Sequence, residues 1–264
     1  CIRDRIPAAF DYHRPNDLNG VISLLQEHGD DARVIAGGHS LIPLMKLRMA
    51  EVPHLIDLQS ISELTGVESG STIRIGAMTT QADIIDNASL ASSAPILKEA
   101  SLQIADPQVR YMGTVGGNVA NGDPGNDMPG LMQCLDATFI LRGPNGEREV
   151  KARDFYHAAY MTEREDDEVM VAVTFDAPKG GYAYEKQKRK IGDYATAAAA
   201  VIISKDGSTC KEAAIAMTNL SDTPVFCGAA SDCLIGTSVS AEDIKNAVNS
   251  MICLLYTSPS PRDP

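Results

Sequence analysis

The residues best suited to binding chemistry lie in a glycine-rich stretch at 112–127, Met-Gly-Thr-Val-Gly-Gly-Asn-Val-Ala-Asn-Gly-Asp-Pro-Gly-Asn-Asp. Five of its sixteen residues are glycine, and few of the others carry bulk, so a hydrophobic core does not select this composition. Glycine lets another molecule approach the main chain closely, and successive free N–H groups form a concave nest for an anion. The polar side chains suit a phosphate-bearing ligand with sugar hydroxyls; they are Thr114, Asn118, Asp123 and Asp127.

A second glycine loop lies upstream, at 36–41, with the sequence Ala-Gly-Gly-His-Ser-Leu. It follows the short apolar run Val34-Ile35, which is typical of a buried strand. Each loop alone is weak evidence, because glycine pairs are common in turns. Together, one after a strand and one before a helix predicted at 128–135, they favour a dinucleotide site over two simple turns.

Composition excludes several classes of protein. The 264 residues suffice for one large domain or two to three small ones. A formal charge of −12, with one basic run at 186–190, argues against nucleic acid or an anionic membrane as partner. No segment approaches the roughly 18 apolar residues of a membrane span. Since the N-terminal residues lack a signal-peptide pattern, we expect a cytoplasmic protein with reduced cysteines.

The sequence spells out no catalytic residue and no metal site of its own. The six cysteines form no Cys-x-x-Cys pair, and the five histidines (13, 28, 39, 54 and 157) show no ligand spacing. A P-loop, a Gly-x-Gly-x-x-Gly fingerprint and a nucleophile elbow are all missing. We therefore expect a bound cofactor to carry any reaction.

Hydrophobic periodicity predicts three consecutive units, at 6–59, 60–176 and 177–252. We interpret 1–5 and 253–264 as non-native or disordered ends, because the tail departs abruptly from the helical pattern before it. In the first unit the pattern predicts a helix at 17–28, strands at 33–36 and 54–58, and an apolar segment at 41–47.

The second unit is predicted to pair strands 66–67 and 72–76, followed by a helix capped at Thr79 or Thr80. Its acidic segment 162–168 has the composition of a solvated surface. The other predicted elements of this unit are a helix at 95–102, a hairpin of 137–141 with 147–150 around Gly143-Pro144-Asn145-Gly146, and a strand at 169–175.

The third unit is predicted to contain strands at 182–190 and 211–218 and a helix at 241–251. The alanine-rich segment 195–203 fits either a strand or a buried helix.

Both glycine loops, with Gly122-Asp123-Pro124 and Asp127 after the second, closely resemble the FAD-binding medium subunit of molybdenum hydroxylases. The nearest resemblance is to the aerobic carbon monoxide dehydrogenase medium subunit, within the wider xanthine dehydrogenase family. It runs from about Ile6 to about Met251. The resemblance implies an α+β fold: a two-subdomain PCMH-type, vanillyl-alcohol-oxidase-like FAD-binding fold with a smaller C-terminal α/β domain.

The resemblance also implies FAD as the cofactor, with both glycine loops around its pyrophosphate. Segment 186–194 resembles the family's flavin-facing stretch, in which Tyr194 would cover the isoalloxazine ring. Lys186 or Lys190 would place positive charge near the flavin or its phosphates. The cofactor-binding residues expected on this basis are Val34, Ile35, Ala36, Gly37, Gly38, His39, Ser40, Leu41, Ile104, Ala105, Thr114, Gly116, Gly117, Asn118, Asp123, Asp127, Met170, Lys186 and Tyr194.

The function implied by the resemblance is electron transfer. A large molybdenum-cofactor subunit would oxidise the substrate, and a small subunit with 2Fe–2S clusters would pass electrons to the FAD of this chain, within a dimerised heterotrimer. NAD or a quinone would accept the electrons. Two alternatives stay open: a stand-alone FAD-dependent reductase, which needs a proton donor of its own, and a non-catalytic flavin- or nucleotide-binding module. The proline-rich tail after Met251 departs from the family's usual final helices.

Overall fold

In the computed structural model, which describes residues 6–256, a parallel three-stranded sheet and one covering helix begin the chain. The elements are β1 (Asp11–His13), α1 (Leu18–His28), β2 (Ala32–Ile35), α2 (Leu41–Lys46) and β3 (His54–Asp57). Helix α1 buries the predicted apolar stripe of Leu18, Val21, Ile22 and Leu25. The sheet order is β1-β3-β2, so the first glycine loop leaves the carboxyl end of an edge strand.

The second unit is an antiparallel sheet with helices inserted between its second and third strands along the chain. Its elements are β4 (Val67–Glu68), β5 (Thr72–Gly76), α3 (Gln81–Asp86), α4 (Ala88–Ser93), α5 (Pro95–Gln103), α6 (Pro107–Met112), α7 (Val115–Ala120), α8 (Asp127–Cys134), β6 (Thr138–Gly143), β7 (Gly146–Lys151), β8 (Tyr156–Ala158), β9 (Met161–Thr162) and β10 (Val169–Asp176). The strand order is β4-β5-β10-β6-β7, and Gly143 pairs with Gly146 at the predicted hairpin turn.

The C-terminal unit is an antiparallel sheet with two helices packed on one of its faces. Its elements are β11 (Gly181–Gln187), β12 (Ala197–Asp206), β13 (Thr209–Thr218), β14 (Val225–Phe226), α9 (Gly228–Asp232) and α10 (Ala241–Tyr256). The strands follow the order β11-β12-β13-β14. The predicted strand 182–190 ends early, at Gln187, and the alanine-rich segment is a strand.

Helix α8 joins the second and third units. Every residue from Asp127 to Cys134 is buried, and the helix packs on β12 and β13. A Cβ atom at Gly130 would lie 2.2 Å from the Thr218 Oγ1 atom, so a glycine is needed for this close approach. The buried helix fixes the position of Asp127 at its first turn.

The predicted end of the C-terminal helix is wrong. Helix α10 continues to Tyr256, beyond the expected end at Met251 and into the segment interpreted as a non-native or disordered end. The remainder of the predicted ends, 1–5 and 257–264, lies outside the described residues. No helix between residues 6 and 256 is both long enough and apolar enough to cross a bilayer.

Candidate functional site

A cavity of about 590 Å³ lies between the three units. This volume is within the range of roughly 300–1,000 Å³ that small-molecule and cofactor sites occupy. All the predicted site residues line it except Asp123. The side chains that sequence reasoning missed include Gln81, Tyr160, Arg164, Asp166 and Glu168.

The first glycine loop supplies free backbone donors. Within residues 6–256, no acceptor takes the N–H groups of Gly37, Gly38, His39 or Ser40. Gly38 has φ 76°, a left-handed conformation that favours glycine. Four unpaired amides in succession at a cavity wall match an anion-binding nest.

Three backbone N–H groups of the second glycine loop already have acceptors, contrary to the prediction from sequence. The Val115 N–H donates to the Thr79 carbonyl oxygen (3.0 Å), and the Gly116 N–H donates to that of Ala77 (2.9 Å). The Gly117 N–H donates to the Thr114 hydroxyl, which caps α7 (3.0 Å). The prediction of free N–H groups is therefore wrong at these three positions.

The two loops are pressed against each other. A Cβ atom at Gly37 would lie 2.2 Å from the Met112 carbonyl oxygen. Because this oxygen belongs to the main chain, it cannot turn aside as a side chain could. At Gly117 the nearest atoms would be the Thr114 Oγ1 atom at 2.9 Å and the Ala36 Cβ atom at 3.5 Å. Gly37 is thus required by packing against backbone atoms, and Gly117 by the close approach of the Thr114 side chain.

Polar side chains after the second loop stabilise its backbone. The Asn118 Oδ1 atom accepts from the Met128 N–H (3.2 Å), and the Asn126 amide donates to the Asn118 carbonyl oxygen (2.8 Å). The Asp123 carboxylate accepts from the Gly125 N–H (2.9 Å). Asp123 holds the turn and does not itself line the cavity, but its carboxylate lies near Tyr160 and Tyr194, which do.

Gln81 presents an unpaired donor at the cavity. The Gln81 side chain is buried, and its Oε1 atom accepts from the Ser101 hydroxyl (2.9 Å). Its Nε2 atom has no partner among the described residues. An unsatisfied buried donor costs about 1–3 kcal/mol, so a ligand acceptor at this point would be stabilising. Nothing in the sequence separated Gln81 from other polar residues of a first helical turn.

Asp127 and Lys186 form an ion pair inside the protein. The Lys186 Nζ atom donates to the Asp127 Oδ2 atom (2.8 Å), and the Lys186 side chain is only 1% exposed. The Tyr184 hydroxyl donates to the Asp127 Oδ1 atom (2.5 Å). Burial raises the pKa of Asp127, although Lys186 and Tyr184 favour its charged form. Burial also raises the pKa of Tyr184 well above its usual value, so this hydroxyl remains a donor.

Aromatic side chains flank the opening of the cavity. Tyr194 lines it while remaining 60% exposed, as a ring that covers a ligand would be. Tyr160 lines it too, although sequence reasoning missed it. Desolvation, with the nearby Asp123 carboxylate, raises the pKa of both tyrosines. Lys190 is exposed and does not line the cavity, so the positive charge predicted for Lys186 or Lys190 comes from Lys186.

The acidic segment 162–168 is more than a solvated surface. Glu168 is buried and accepts a bidentate pair of hydrogen bonds from Arg148, at 2.6 and 2.8 Å. Burial alone would raise the pKa of Glu168, but the Arg148 guanidinium and the Glu165 N–H hold it below its usual range. Because Glu168 also lines the cavity, this pair fixes part of its wall.

Glu168→Gln should lower the free energy of unfolding by about 1–3 kcal/mol, since hydrogen bonds to a charged group are lost. A lowered folded-state pKa stabilises the protein above the ordinary carboxyl pKa of about 4.3. The difference in the free energy of unfolding between wild type and variant should therefore become smaller as the pH falls below about 4.3. Urea unfolding at several pH values measures it. Glu149→Gln, an exposed change on β7, is the control; an equal effect there would contradict the assignment.

The fold brings together three of the histidines that show no ligand spacing along the sequence. These are His13, His28 and His54, which are distant in sequence. None of the three lines the cavity. Their spacing along the chain carries no ligand pattern because three different elements supply them.

The family comparisons agree with this architecture. The family described as "FAD binding domain in molybdopterin dehydrogenase" matches residues 8–178. The family described as "CO dehydrogenase flavoprotein C-terminal domain" matches residues 182–259. The chain belongs to the FAD-binding subunits of molybdenum hydroxylases.

Individual relatives agree with this assignment. The carbon monoxide dehydrogenase medium chain of Afipia carboxidovorans is 53% identical over 92% of this chain and 85% of its own length. The glyceraldehyde dehydrogenase medium chain of Sulfolobus acidocaldarius is 34% identical over 93% and 89%. A solved structure, reconstituted CO dehydrogenase from Oligotropha carboxidovorans, matches with 50% identity and a TM-score of 0.93, covering 98% of this chain and 92% of that chain.

Several predictions from sequence are thereby confirmed. The α+β fold is that of an FAD-binding domain followed by the C-terminal flavoprotein domain. FAD is the cofactor of this family, and the chain is an oxidoreductase flavoprotein subunit. The predicted resemblance to the carbon monoxide dehydrogenase medium subunit is confirmed as well.

Proposed function

We propose that this chain is the electron-transfer subunit of a molybdenum hydroxylase complex. A small partner with 2Fe–2S clusters supplies the electrons, and a large molybdenum-cofactor partner oxidises the substrate. The acceptor is external, either NAD or a quinone. The three chains form a heterotrimer, which dimerises. FAD, when bound, supplies a carrier that takes up and releases two electrons.

The observation that carries the proposal is the cavity between the two glycine loops. The unpaired amides at 37–40 are donors for an anionic group such as a pyrophosphate. The orphaned Gln81 Nε2 atom is a further donor, buried at the same cavity. A volume of about 590 Å³ suits a ligand of nucleotide size. The residues present therefore fit FAD.

The chain's own residues hold and shield the cofactor. The loop at 37–40 binds the anionic part, and Gly117 leaves room for it beside Ala36. Lys186 supplies a positive charge at the cavity that its ion pair with Asp127 partly neutralises. Tyr194 covers the exposed side and limits the access of water.

Three cavity residues that could donate a proton are poorly suited to the role that a stand-alone reductase would require. Such an enzyme needs a proton donor of its own for its substrate. Tyr160 and Tyr194 have raised pKa values and are weaker acids than free tyrosine. Asp127 is held in its ion pair by Lys186. These residues suit electron transfer better than proton transfer.

The visible absorption spectrum of the purified chain tests the proposal. We expect bound FAD at near one per chain, identified after release, and rapid reduction of that flavin by a reduced 2Fe–2S partner subunit. A folded chain that takes up no FAD would contradict the cofactor site. A flavin-loaded chain that no iron–sulfur partner reduces would contradict the electron-transfer role and favour the non-catalytic module.

A further inference from the structure

Three histidines meet at the end of the parallel sheet of the N-terminal unit. One ring nitrogen from each of His13, His28 and His54 lies within 4.8 Å of the other two. The His13 Nε2 atom is 3.1 Å from the His54 Nδ1 atom. The rings of His28 and His54 are stacked, with centroids 3.7 Å apart and planes inclined by 8°. All three side chains are partly buried.

The fold dictates this meeting. His54 is the first residue of β3, and His13 on β1 lies in register with Ile56. Residues two apart on a strand share a face, so His13 and His54 are diagonal neighbours on one face of the sheet. Helix α1 packs on that face through its contacts with Ile56. His28 is the last residue of α1, where Gly29 at φ 50° ends the helix beside the strands.

His13 and His54 share a hydrogen bond, whereas His28 contacts the other two through ring stacking. Within residues 6–256, neither ring nitrogen of His28 has a hydrogen-bond partner. The cluster therefore offers one candidate ligand nitrogen from each ring, all within 4.8 Å of one another.

We propose that His13, His28 and His54 form a binding site for a divalent transition-metal cation of the zinc class. Zinc bonds imidazole nitrogen at about 2.0–2.1 Å, so two nitrogens of one tetrahedral site are about 3.3 Å apart. The 3.1 Å separation of the His13 and His54 nitrogens matches this value. To complete the site, the His28 ring must turn from its stacked position on the His54 ring so that one of its nitrogens faces the metal.

The fourth ligand is a water molecule or Asp11. The Asp11 Oδ2 atom lies 3.9 Å from the His54 Nδ1 atom, and the Asp11 side chain is 80% exposed, hence free to turn. Imidazole nitrogen suits zinc, copper and nickel, whereas magnesium and calcium require oxygen ligands. A bound metal would cross-link β1, α1 and β3 and so stabilise the N-terminal unit.

Metal binding to the full chain, without an affinity tag, tests the proposal. After treatment with a chelator, the protein should take up about one Zn²⁺ per chain by calorimetry, with a rise in Tm because only the folded state binds. Co²⁺ should give visible absorption bands typical of four-coordinate imidazole ligation. His28→Gln should weaken Zn²⁺ binding by about 100-fold or more, since losing a ligand exceeds the effect of losing its outer-shell partner.

The control is His157→Gln, which alters a histidine outside the cluster and should leave Zn²⁺ affinity unchanged. FAD content should stay at the wild-type level in both variants, so the result is independent of the proposed electron-transfer function. Equal Zn²⁺ affinity in His28→Gln and wild type would overturn the site. Failure of the wild-type chain to bind Zn²⁺, or a Co²⁺ spectrum without those bands, would overturn it even if His28→Gln did not fold.

Discussion

Gly117→Val should give a folded chain that contains almost no FAD. The new side chain would enter the space between the glycine loops, where the nearest atoms are the Thr114 hydroxyl and the Ala36 methyl group. The lost affinity should be about 100-fold or more, which corresponds to roughly 2.7 kcal/mol. The ratio of flavin absorbance to protein absorbance, measured after gel filtration, gives the FAD content.

Two comparisons separate loss of the ligand from loss of the fold. Gly70→Val is the matched control, because Gly70 is exposed, lies outside the cavity and has only the Thr72 carbonyl oxygen near its added Cβ atom, at 3.5 Å. It should retain FAD. Gly116→Ala should instead destabilise the protein itself, since its Cβ atom would lie 2.5 Å from the Ala77 Cβ atom. Wild-type FAD content in Gly117→Val would refute the proposed position of the cofactor beside Gly117.

The sequence predicted those parts of the site that local chemistry determines. Backbone requirements select glycine, so Gly37, Gly38 and Gly116 identified both loops before any contact was known. Periodicity placed α1, and the capping residue Thr80 placed α3. Because the glycine loops were identified correctly, most of the predicted site residues line one cavity.

Tertiary contacts determine the parts that sequence reasoning missed. Arg148 and Glu168 are twenty residues apart and pair only after β7 and the acidic segment have docked. The charge of that segment predicted exposure, because single-sequence reasoning does not show where the opposite charge will lie. Gln81 and the three histidines were missed for the same reason: their significance depends on neighbours supplied by other elements.

The buried pair of Asp127 and Lys186 leads to the second large effect. Lys186→Met keeps the length of the side chain but removes the cation, which leaves Asp127 in a buried site with the Tyr184 hydroxyl as its donor. Removing one partner of a buried pair destabilises a protein by about 3–5 kcal/mol. We expect the free energy of unfolding of the FAD-free chain, measured with urea, to fall by about 3–5 kcal/mol. Lys190→Met is the control, because Lys190 is exposed on the same segment, and it should change stability by less than about 0.5 kcal/mol.

The pH dependence identifies the cause of that loss. Burial already raises the pKa of Asp127 against the opposing effect of Lys186, so removing Lys186 should raise it further. A raised folded-state pKa means that the folded variant binds a proton more tightly than the unfolded chain, whose carboxyl pKa is about 3.9. The stability of Lys186→Met should then fall as pH rises through the raised pKa, and the deficit should be smallest in acid.

The double variant Asp127→Asn/Lys186→Met completes the cycle. It has no buried charge left to desolvate, so most of the lost stability should return, and the pH dependence assigned to Asp127 should disappear. A double variant as unstable as Lys186→Met would mean that packing of the lysine side chain, rather than an uncompensated carboxylate, causes the loss. Recovery of stability without recovery of FAD binding would place the function of the pair in holding the cofactor, since its charges then contribute to the cavity more than to the fold.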